Sequence, residues 1–212
     1  MGRIEQIKTG TDNCYLVSEG KNAILVDTCS AAGLEKVLAA CSSYDMKLIV
    51  ITHPHFDHAE NAYELSKRLG IPVAMNEADI GIFDSYDSQP LIARGIVGRV
   101  VLWLSLKVLR NTKVRRPENL VFVKEGDSLG AYGIDGQIIE LPGHTKGSIG
   151  VVIGDGDVIV GDQMDNWIRP SEGHLYADKK DLENSMEKLR SLGERTAYYG
   201  HGKPTKINLS HR

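Results

Sequence analysis

Apolar segments of two kinds alternate along this chain, and their order predicts an α/β domain. Short apolar runs bounded by turn residues predict strands, and longer stretches with apolar residues every three or four positions predict helices. The predicted strands are Ile4–Lys8, Tyr15–Ser18, Ala23–Val26, Leu48–Ile51, Val121–Val123, Gln137–Leu141, Ile149–Ile153, Val158–Val160 and Ala197–Tyr199. The predicted helices are Ala32–Cys41, a helix from His58 to about Leu69, and Asp178–Leu192.

A segment of different composition, Gln89–Pro117, separates the two halves of the pattern. It has no acidic residue, and its seven basic residues are Arg94, Arg99, Lys107, Arg110, Lys113, Arg115 and Arg116. Its apolar centre, Ile96–Leu109, predicts a helix that is too short to span a bilayer, which needs ~20 apolar residues. We interpret residues 89–117 as an insertion in a single domain of residues 1–212. The helix could pack on the body, form a homodimer interface, cover a pocket, or contact an anionic membrane surface.

Composition is that of an ordinary globular protein. The 212 residues are 42% hydrophobic and 25% charged, enough for a core without disulfides. The net charge of −3 gives no reason to expect nucleic-acid binding. Three cysteines without close pairing argue against a disulfide framework, and the N-terminal residues lack the apolar run of a signal peptide. We therefore expect a cytoplasmic protein without a transmembrane segment.

The densest group of chemically active residues is His53-Pro54-His55-Phe56-Asp57-His58. It follows the predicted strand Leu48–Ile51, and catalytic groups commonly lie on loops at such strand ends. In an extended loop His53 and His55 point the same way and can bind one ion. Asp57 and His58 lie where the chain turns into a helix and can face a second ion. Imidazole and carboxylate are the ligands that zinc and related transition metals prefer.

Three further ligand candidates follow later strands, namely His144, Asp162 and His201. A single histidine is more often an ordinary surface or core residue than a ligand. Here five of the seven histidines fall in three strand-end motifs, and burying them together is costly unless a metal pairs with them. His174 and His211 match no motif, and we expect both to be ordinary surface residues.

These motifs, in this order over nearly the whole chain, resemble those of the metallo-β-lactamase fold hydrolases. Residues 13–15 and 26–28 also look like the early strands of that family, in which the Asp27 position supports the site. The resemblance implies a four-layer αββα sandwich with two metals at one edge. It also implies two ligand sets, one of His53, His55 and His144 and the other of Asp57, His58 and His201, with Asp162 bridging the two metals.

The Asp162 position places the chain closer to glyoxalase II-like thioesterases, lactonases and phosphodiesterases than to true β-lactamases, which have Cys or Ser there. Two residues depart from the family pattern. Cys29 stands where many relatives have Gly, and Lys146 stands where Pro or a small residue is expected. Either departure would change the edge of the site.

The resemblance implies a dinuclear hydrolase that contains two divalent transition-metal ions, zinc first, with iron or manganese as alternatives. Two metals about 3.5–4 Å apart can share a bridging hydroxide that attacks the substrate, with Asp57 as its catalytic orienting group and proton carrier. We expect a small acyl or lipid-like substrate, namely a carboxylic ester, thioester or lactone. The candidate substrate-binding residues are Trp103, Leu106, Lys146 and Trp167.

Three alternatives to this function stay open. A phosphodiesterase would use the bases of the insertion to bind phosphate. A mononuclear iron persulfide dioxygenase would use only the ligand set of His53, His55 and His144. In a non-catalytic binding protein, the complete ligand set would have no catalytic role.

Overall fold

The computed structural model describes residues 2–109 and 112–207, so the predicted basic residue Arg110 and also His211 lie outside the described residues. The strands, in chain order, are β1 (Arg3–Thr9), β2 (Asp12–Glu19), β3 (Asn22–Val26), β4 (Asp45–Val50), β5 (Val73–Met75), β6 (Ile92–Ala93), β7 (Leu120–Phe122), β8 (Gly136–Glu140), β9 (Ile149–Ile153), β10 (Asp157–Gly161), β11 (Met164–Asp165), β12 (Ser171–Glu172), β13 (Leu175–Tyr176), β14 (Arg195–Tyr199) and β15 (Thr205–Ile207). The α-helices are α1 (Leu34–Cys41), α2 (Phe56–Ala59), α3 (Ala62–Leu69), α4 (Gly95–Leu109) and α5 (Lys179–Ser191).

Two large sheets contain most of these strands. The first has the order β1-β2-β3-β4-β5-β7, and the second has the order β15-β14-β10-β9-β8. Strands β1 to β3 are antiparallel neighbours, whereas β3, β4, β5 and β7 run parallel. Parallel neighbours need a crossover connection, and α1 lies between β3 and β4 while α3 lies between β4 and β5. Strand β10 is also parallel to β14, with α5 in their connection.

Side chains alternate across both sheets and so build a four-layer αββα sandwich. On β3, Ile24 and Val26 join a core between the sheets that also contains Val151 of β9. Leu25, on the opposite face, packs in a second core together with residues of α1 and α3. A third core joins the outer face of the second sheet to α5. The period-two alternation of each strand thus fills a core on both faces.

Most elements lie where the sequence predicts them, with shifts of one to three residues at their ends. Strand β9 has the predicted bounds Ile149–Ile153. Helix α5 has Asp178 as its N-cap, whose carboxylate accepts hydrogen bonds from the backbone N–H groups of Lys180 and Asp181. Strand β5 was not predicted, because its three residues are too short for a period to appear.

The single helix predicted from His58 to Leu69 is wrong, because the chain forms α2 and α3 with a break at Glu60 and Asn61. The buried Asn61 amide donates hydrogen bonds to the backbone oxygens of Thr28, Cys29 and Ser30, at 2.9, 3.2 and 2.8 Å. These bonds hold the loop after β3 against the start of α3. A tertiary contact therefore interrupts what reads locally as one helix.

Helix α4 is the helix predicted at Ile96–Leu109, extended by one residue at its start. Only Gly98 and Leu109 of this helix are buried, so the rest of its apolar surface is at least partly open. Exposed side chains include Ile96 at 81%, Trp103 at 58% and Leu104 at 52%. Within residues 2–109 and 112–207, no helix has the length and apolar character needed to cross a membrane.

Candidate metal centre

The seven predicted ligands all lie beyond the carboxyl ends of strands, five of them in loops and two in a short helix. His53 and His55 come after β4, His144 after β8, Asp162 after β10 and His201 after β14. The first turn of α2 adds Asp57 and His58. The structure therefore brings ligands from both sheets to one edge of the sandwich, where three groups of them could each hold a metal ion.

One group consists of three imidazoles. His144 Nε2 lies 3.1 Å from His53 Nε2 and 3.1 Å from His55 Nδ1. His144 Nδ1 is 2.8 Å from the backbone oxygen of Leu175, to which it donates its proton when the ring is neutral. Its Nε2 is then an acceptor, so one ring presents a lone pair to two others at a spacing that suits a shared metal ion.

A second group consists of Asp57, His58 and His201. Asp57 Oδ2 is 3.3 Å from His201 Nε2 and 4.0 Å from His58 Nε2. Asp162 lies between the two groups. Its Oδ1 is 3.3 Å from His58 Nε2, and its Oδ2 is 3.5 Å from His201 Nε2 and 3.9 Å from His144 Nε2. This placement fits a carboxylate that bridges two ions.

Two buried polar atoms in this cluster test whether a metal pair fits. Within the described residues, His58 Nε2 and Asp162 Oδ1 are both buried and form no hydrogen bond, although they lie only 3.3 Å apart as an ion pair. Unsatisfied buried groups of this kind are costly, and a bound cation would satisfy both. The opposite ring nitrogen of His58, Nδ1, is 2.9 Å from Asp27 Oδ2, which fixes the ring with Nε2 towards the site. The residues present therefore fit a two-metal centre.

Protein oxygens orient most of these rings from behind. The Thr52 hydroxyl lies 3.2 Å from His53 Nδ1, and His201 Nδ1 lies 3.1 Å from the backbone oxygen of Thr11. Asp27, behind His58, also accepts hydrogen bonds from the backbone N–H and the hydroxyl of Thr52. Partners of this kind fix the tautomer and direction of a ligand and raise its basicity.

The loop after β3 has an unusual backbone. Asp27 has φ of 60° and Cys29 has φ of 58°, in the left-handed region that glycine adopts most readily. This conformation gives a physical reason for the glycine that the sequence analysis expected at the Cys29 position. Cys29 is buried against the core that α1 and α3 share, so here a small apolar side chain is kept at a strained position.

The cluster contains two kinds of histidine. Burial, together with the neighbouring imidazoles, lowers the pKa of His53 well below its usual value and lowers the pKa of His55 to about 3. Burial would also lower the pKa of His58 and of His201, but nearby carboxylates raise both well above the usual value. His53 and His55 thus favour the neutral form, whereas His58 and His201 favour the charged form.

The pKa values of the two carboxyl groups, Asp57 and Asp162, are both lowered. Burial alone would raise the pKa of Asp57, but the charges of His58 and His201 lower it to about 2. Burial would likewise raise the pKa of Asp162, and the same two histidines hold it well below its usual value. Both side chains are therefore anionic at neutral pH and are ready to bind cations.

Helix α4 lies over this cluster. A small cavity of about 50 Å³ separates the ligands from Val101, Ser105 and Leu109 of the helix. A groove of about 990 Å³ opens from Asp57 and His201 and runs under the helix. The groove is lined on the helix side by Val97, Val101, Leu104, Ser105 and Val108. On the other side of the site, a cavity of about 620 Å³ reaches His55 and His144.

The four predicted substrate-binding residues fall in different places. The Trp167 ring stacks on His201, with ring centres 4.8 Å apart, and lines the groove. Leu106 lines the cavity of about 620 Å³. Trp103 points outward, with Lys107 Nζ 3.8 Å from its ring centre, and Lys146 is exposed. Neither Trp103 nor Lys146 lines the cavities described above.

His174 is not the ordinary surface residue that we expected. Its side chain is 22% exposed, its Nδ1 is hydrogen-bonded to the buried carboxylate of Asp165, and it lines the small cavity above the ligands. Asp165 is three residues beyond Asp162, but nothing in the sequence pairs it with His174. The pairing depends on strands β11 and β13, which are too short to predict.

A second buried carboxylate, Asp79, also escaped the sequence analysis. It accepts hydrogen bonds from the Thr145 hydroxyl at 2.6 Å, from the Gly147 backbone N–H at 2.8 Å and from the Gln89 amide at 2.7 Å. These bonds hold the loop that carries His144. Burial raises the pKa of Asp79.

Comparison with known protein families decides the identity of the fold. Residues 8–201 match the model of the metallo-beta-lactamase superfamily. The chain belongs to this superfamily. The predicted fold is therefore confirmed, and the matched range includes all seven of the predicted ligand residues.

Similar proteins of the superfamily include named hydrolases. A probable metallo-hydrolase of Methanocaldococcus jannaschii is 27% identical over 204 residues, which are 91% of this chain and 88% of that protein. A hydroxyacylglutathione hydrolase of Haemophilus influenzae is 29% identical over 144 residues, which are 66% of this chain and 60% of that protein. A crystal structure described as a di-iron-bound form has a TM-score of 0.71 at 25% identity and covers 98% of this chain and 95% of its own.

Proposed function

We propose that this metallo-beta-lactamase superfamily protein hydrolyses carboxylic esters, thioesters or lactones with two transition-metal ions. One observation carries the proposal. Seven side chains that could bind metal converge in two groups around Asp162, and a groove with one apolar wall, from α4, opens from Asp57 and His201. Zinc suits this set of imidazoles and carboxylates, and iron or manganese would suit it as well.

Each ligand has a defined task in this proposal. His53, His55 and His144 would hold one ion, Asp57, His58 and His201 the other, and Asp162 both. The bound ions supply Lewis acidity for the substrate oxygen and lower the pKa of water towards neutrality. The protein contributes rings whose far nitrogens are already fixed, so the ligand directions do not have to be organised during the reaction.

Asp57 is our candidate for proton transfer. Its pKa of about 2 makes it a carboxylate at neutral pH, and its Oδ2 faces His201 at 3.3 Å. It also lines both the small cavity above the ligands and the apolar groove. A carboxylate in that position can orient the attacking water and accept its proton.

The groove favours an acyl substrate over a phosphodiester. Its volume of about 990 Å³ is near the upper end for small-molecule sites, which span roughly 300–1,000 Å³. The wall that α4 contributes is Val97, Val101, Leu104 and Val108, with Ser105 as its one polar side chain. Relatives named hydroxyacylglutathione hydrolase also support an acyl substrate.

A substrate panel tests the proposal. Purified protein is assayed with thioesters, lactones, aryl esters and bis-aryl phosphodiesters, first as isolated, then after chelator treatment, then after addition of zinc, iron or manganese. We expect carbonyl substrates to lead in kcat/KM, and we expect activity to be lost with the metal and restored with it. A clear lead for the phosphodiester would overturn the choice of substrate class.

The panel needs two matched variants. Asp57→Asn should lower turnover at least 10–100-fold without unfolding the chain, because it changes a ligand and not the core. Asp155→Asn, in the exposed turn before β10, makes the same chemical change away from the site and should leave turnover unchanged. Wild-type turnover in Asp57→Asn would contradict the two-metal mechanism.

The iron dioxygenase is tested in the same samples. It requires one iron per chain and oxygen consumption with glutathione persulfide. Because Asp57, His58 and His201 are not required in that reaction, variants of the second group would then retain activity. That combination of results would replace the hydrolase with the dioxygenase.

A further inference from the structure

His174 and Asp165 form a pair of ionisable side chains outside the metal ligands. Asp165 is 4% exposed, and its carboxylate is hydrogen-bonded to His174 Nδ1 and, at 3.3 Å, to the Ser171 hydroxyl. A buried carboxylate that accepts a hydrogen bond from Nδ1 fixes the tautomer and the direction of the ring. Nε2, on the other edge of the ring, is left available to the surroundings.

His174 lies between the metal ligands and a more open space. It lines the small cavity of about 50 Å³ together with Asp57, Asp162 and His201. It also lines a neighbouring cavity of about 540 Å³, which shares Asp165 and Trp167 with the small one. The ring is therefore in a position to take a proton from one space and deliver it to the other.

We propose that His174 donates a proton to the leaving-group oxygen of an ester substrate and that Asp165 is its positioning residue. This inference rests on the proposed hydrolase function. It explains why a histidine that is not a metal ligand lines the ligand cavity with a buried carboxylate behind it. In a purely structural role, the pair would only join β11 to β13.

The proton balance of the step is simple. The water oxygen forms a new bond to the carbonyl carbon, and its proton passes to Asp57. When the tetrahedral carbon collapses, the bond to the leaving oxygen breaks, and the electron pair stays on that oxygen. His174, protonated on both nitrogens, gives its Nε2 proton to this oxygen. It keeps its Nδ1 proton, which it donates in a hydrogen bond to the Asp165 carboxylate. The products are an acid and an alcohol, and the proton from water restores His174 through solvent.

The charged groups around His174 come from several elements. Asp165 is on β11, and the backbone oxygen of His174 accepts a hydrogen bond from the backbone N–H of Arg94. The Arg94 side chain pairs with Glu172 on β12. The ionisable residues that line the two cavities with His174 are His55, Asp57, Arg94, His144, Asp162, Asp165, Arg169, Glu172, Arg190 and His201.

The leaving group provides the sharpest test. A thiol has a pKa near 8.5 and departs as a thiolate without help, whereas an alcohol is about as weak an acid as water, with a pKa near 15.7. Proton donation by a positioned side chain is typically worth about 10²–10⁴-fold. We expect His174→Gln to lower kcat on an alkyl oxygen ester by this factor, and to change kcat on the thioester of the same acyl group only about threefold or less.

Two further measurements separate catalysis from structure. Metal content of His174→Gln should equal that of the wild type, because His174 is not a ligand. Aryl oxygen esters whose phenols differ in acidity should show a steeper dependence of kcat on leaving-group pKa in His174→Gln and, to a smaller extent, in Asp165→Asn, where no carboxylate holds the ring.

The outcomes are distinct. An equal loss on thioester and oxygen ester, or a loss of metal, would show that the pair is structural and overturn the inference. Thioester turnover by a wild-type protein that hydrolyses no oxygen ester would also overturn it, while the proposed hydrolase would stand. Absence of metal-dependent turnover on all carbonyl substrates would instead contradict the proposed function.

Discussion

At the scale of single residues, the candidate metal ligands are packed so closely that little space is left around them. A Cβ placed on Gly200 would collide with Asp162 Oδ1 and with the His58 ring. Asp162 Oδ1 and the nearby His58 Nε2 are the two buried atoms that form no hydrogen bond. The glycine before His201 therefore lets the chain after β14 bring His201 close to Asp162 and His58.

Gly200→Ala is accordingly expected to disrupt the metal centre. It should lower metal content and turnover at least tenfold, a loss in the range found when partners of a metal ligand are changed. Gly156→Ala is the matched control, because a Cβ there meets no atom within 4 Å. Elemental analysis and turnover of the two variants check this, and normal metal binding by Gly200→Ala would contradict the close packing described here.

The convergence of the seven candidate ligands could be predicted from sequence because their signal is local. Four of them lie within His53–His58, and the other three each follow a predicted strand. His174 could not be predicted, since its partner Asp165 is nine positions away and is reached only through the pairing of short strands. Asp79 likewise depends on contacts with residues 66 and 68 positions away.

At the scale of elements, α4 combines a lining face with an outer face. Val101, Leu104 and Val108 line the groove at intervals of three and four residues. Trp103 and Ile96 point away from it and are more than half exposed. The apolar pattern predicted the helix, but it could not tell which face would cover the site, since nearly all of its positions are apolar.

Leu104→Gln should therefore shift acyl-chain preference. A polar amide in the groove disfavours burial of long chains, at roughly 0.8 kcal/mol per buried CH₂ that loses its contact. We expect KM to rise more for a long-chain thioester than for a short-chain one. Trp103→Ala, on the outer face, is the control. An equal change for both chain lengths in Leu104→Gln would indicate that the groove does not bind the acyl group.

At the scale of the whole molecule, the metal-free protein should be most stable near pH 6.5. Below this value His53 and His55 stay neutral in the fold while the unfolded chain binds protons, so the free energy of unfolding falls as pH drops towards about 3. Above it, His58 and His201 keep their protons only in the fold, so their contribution is lost as pH rises through their raised pKa values.

Urea denaturation between about pH 4 and pH 9, with and without a chelator, checks this prediction. Bound metal requires neutral rings, so the alkaline decline should disappear in the metal-loaded protein, and metal binding near neutral pH should release protons. The ionised carboxylates stabilise the fold above their usual pKa of 3.8. This stabilisation is lost as the pH falls from 3.8 towards about 2. A metal-free stability curve without a maximum near pH 6.5 would contradict the charge arrangement of the cluster.

Two expectations about the outer surface of the molecule stay predictions, namely a homodimer interface and a contact with an anionic membrane. Ile96, Val100 and Trp103 are exposed on α4 beside the bases of residues 89–117, as a homodimer interface or an anionic membrane contact would require. Sedimentation of the protein alone and with anionic vesicles would distinguish them. The cytoplasmic location also stays a prediction from the sequence.

The number of metal ions per chain tests the central claim most directly. Elemental analysis of the purified protein should give close to two transition-metal ions for the wild type. His201→Ala should lose the ion of the second group and retain close to one, whereas Asp162→Ser should weaken both. A single ion in the wild type that His201→Ala leaves unchanged would contradict the dinuclear centre.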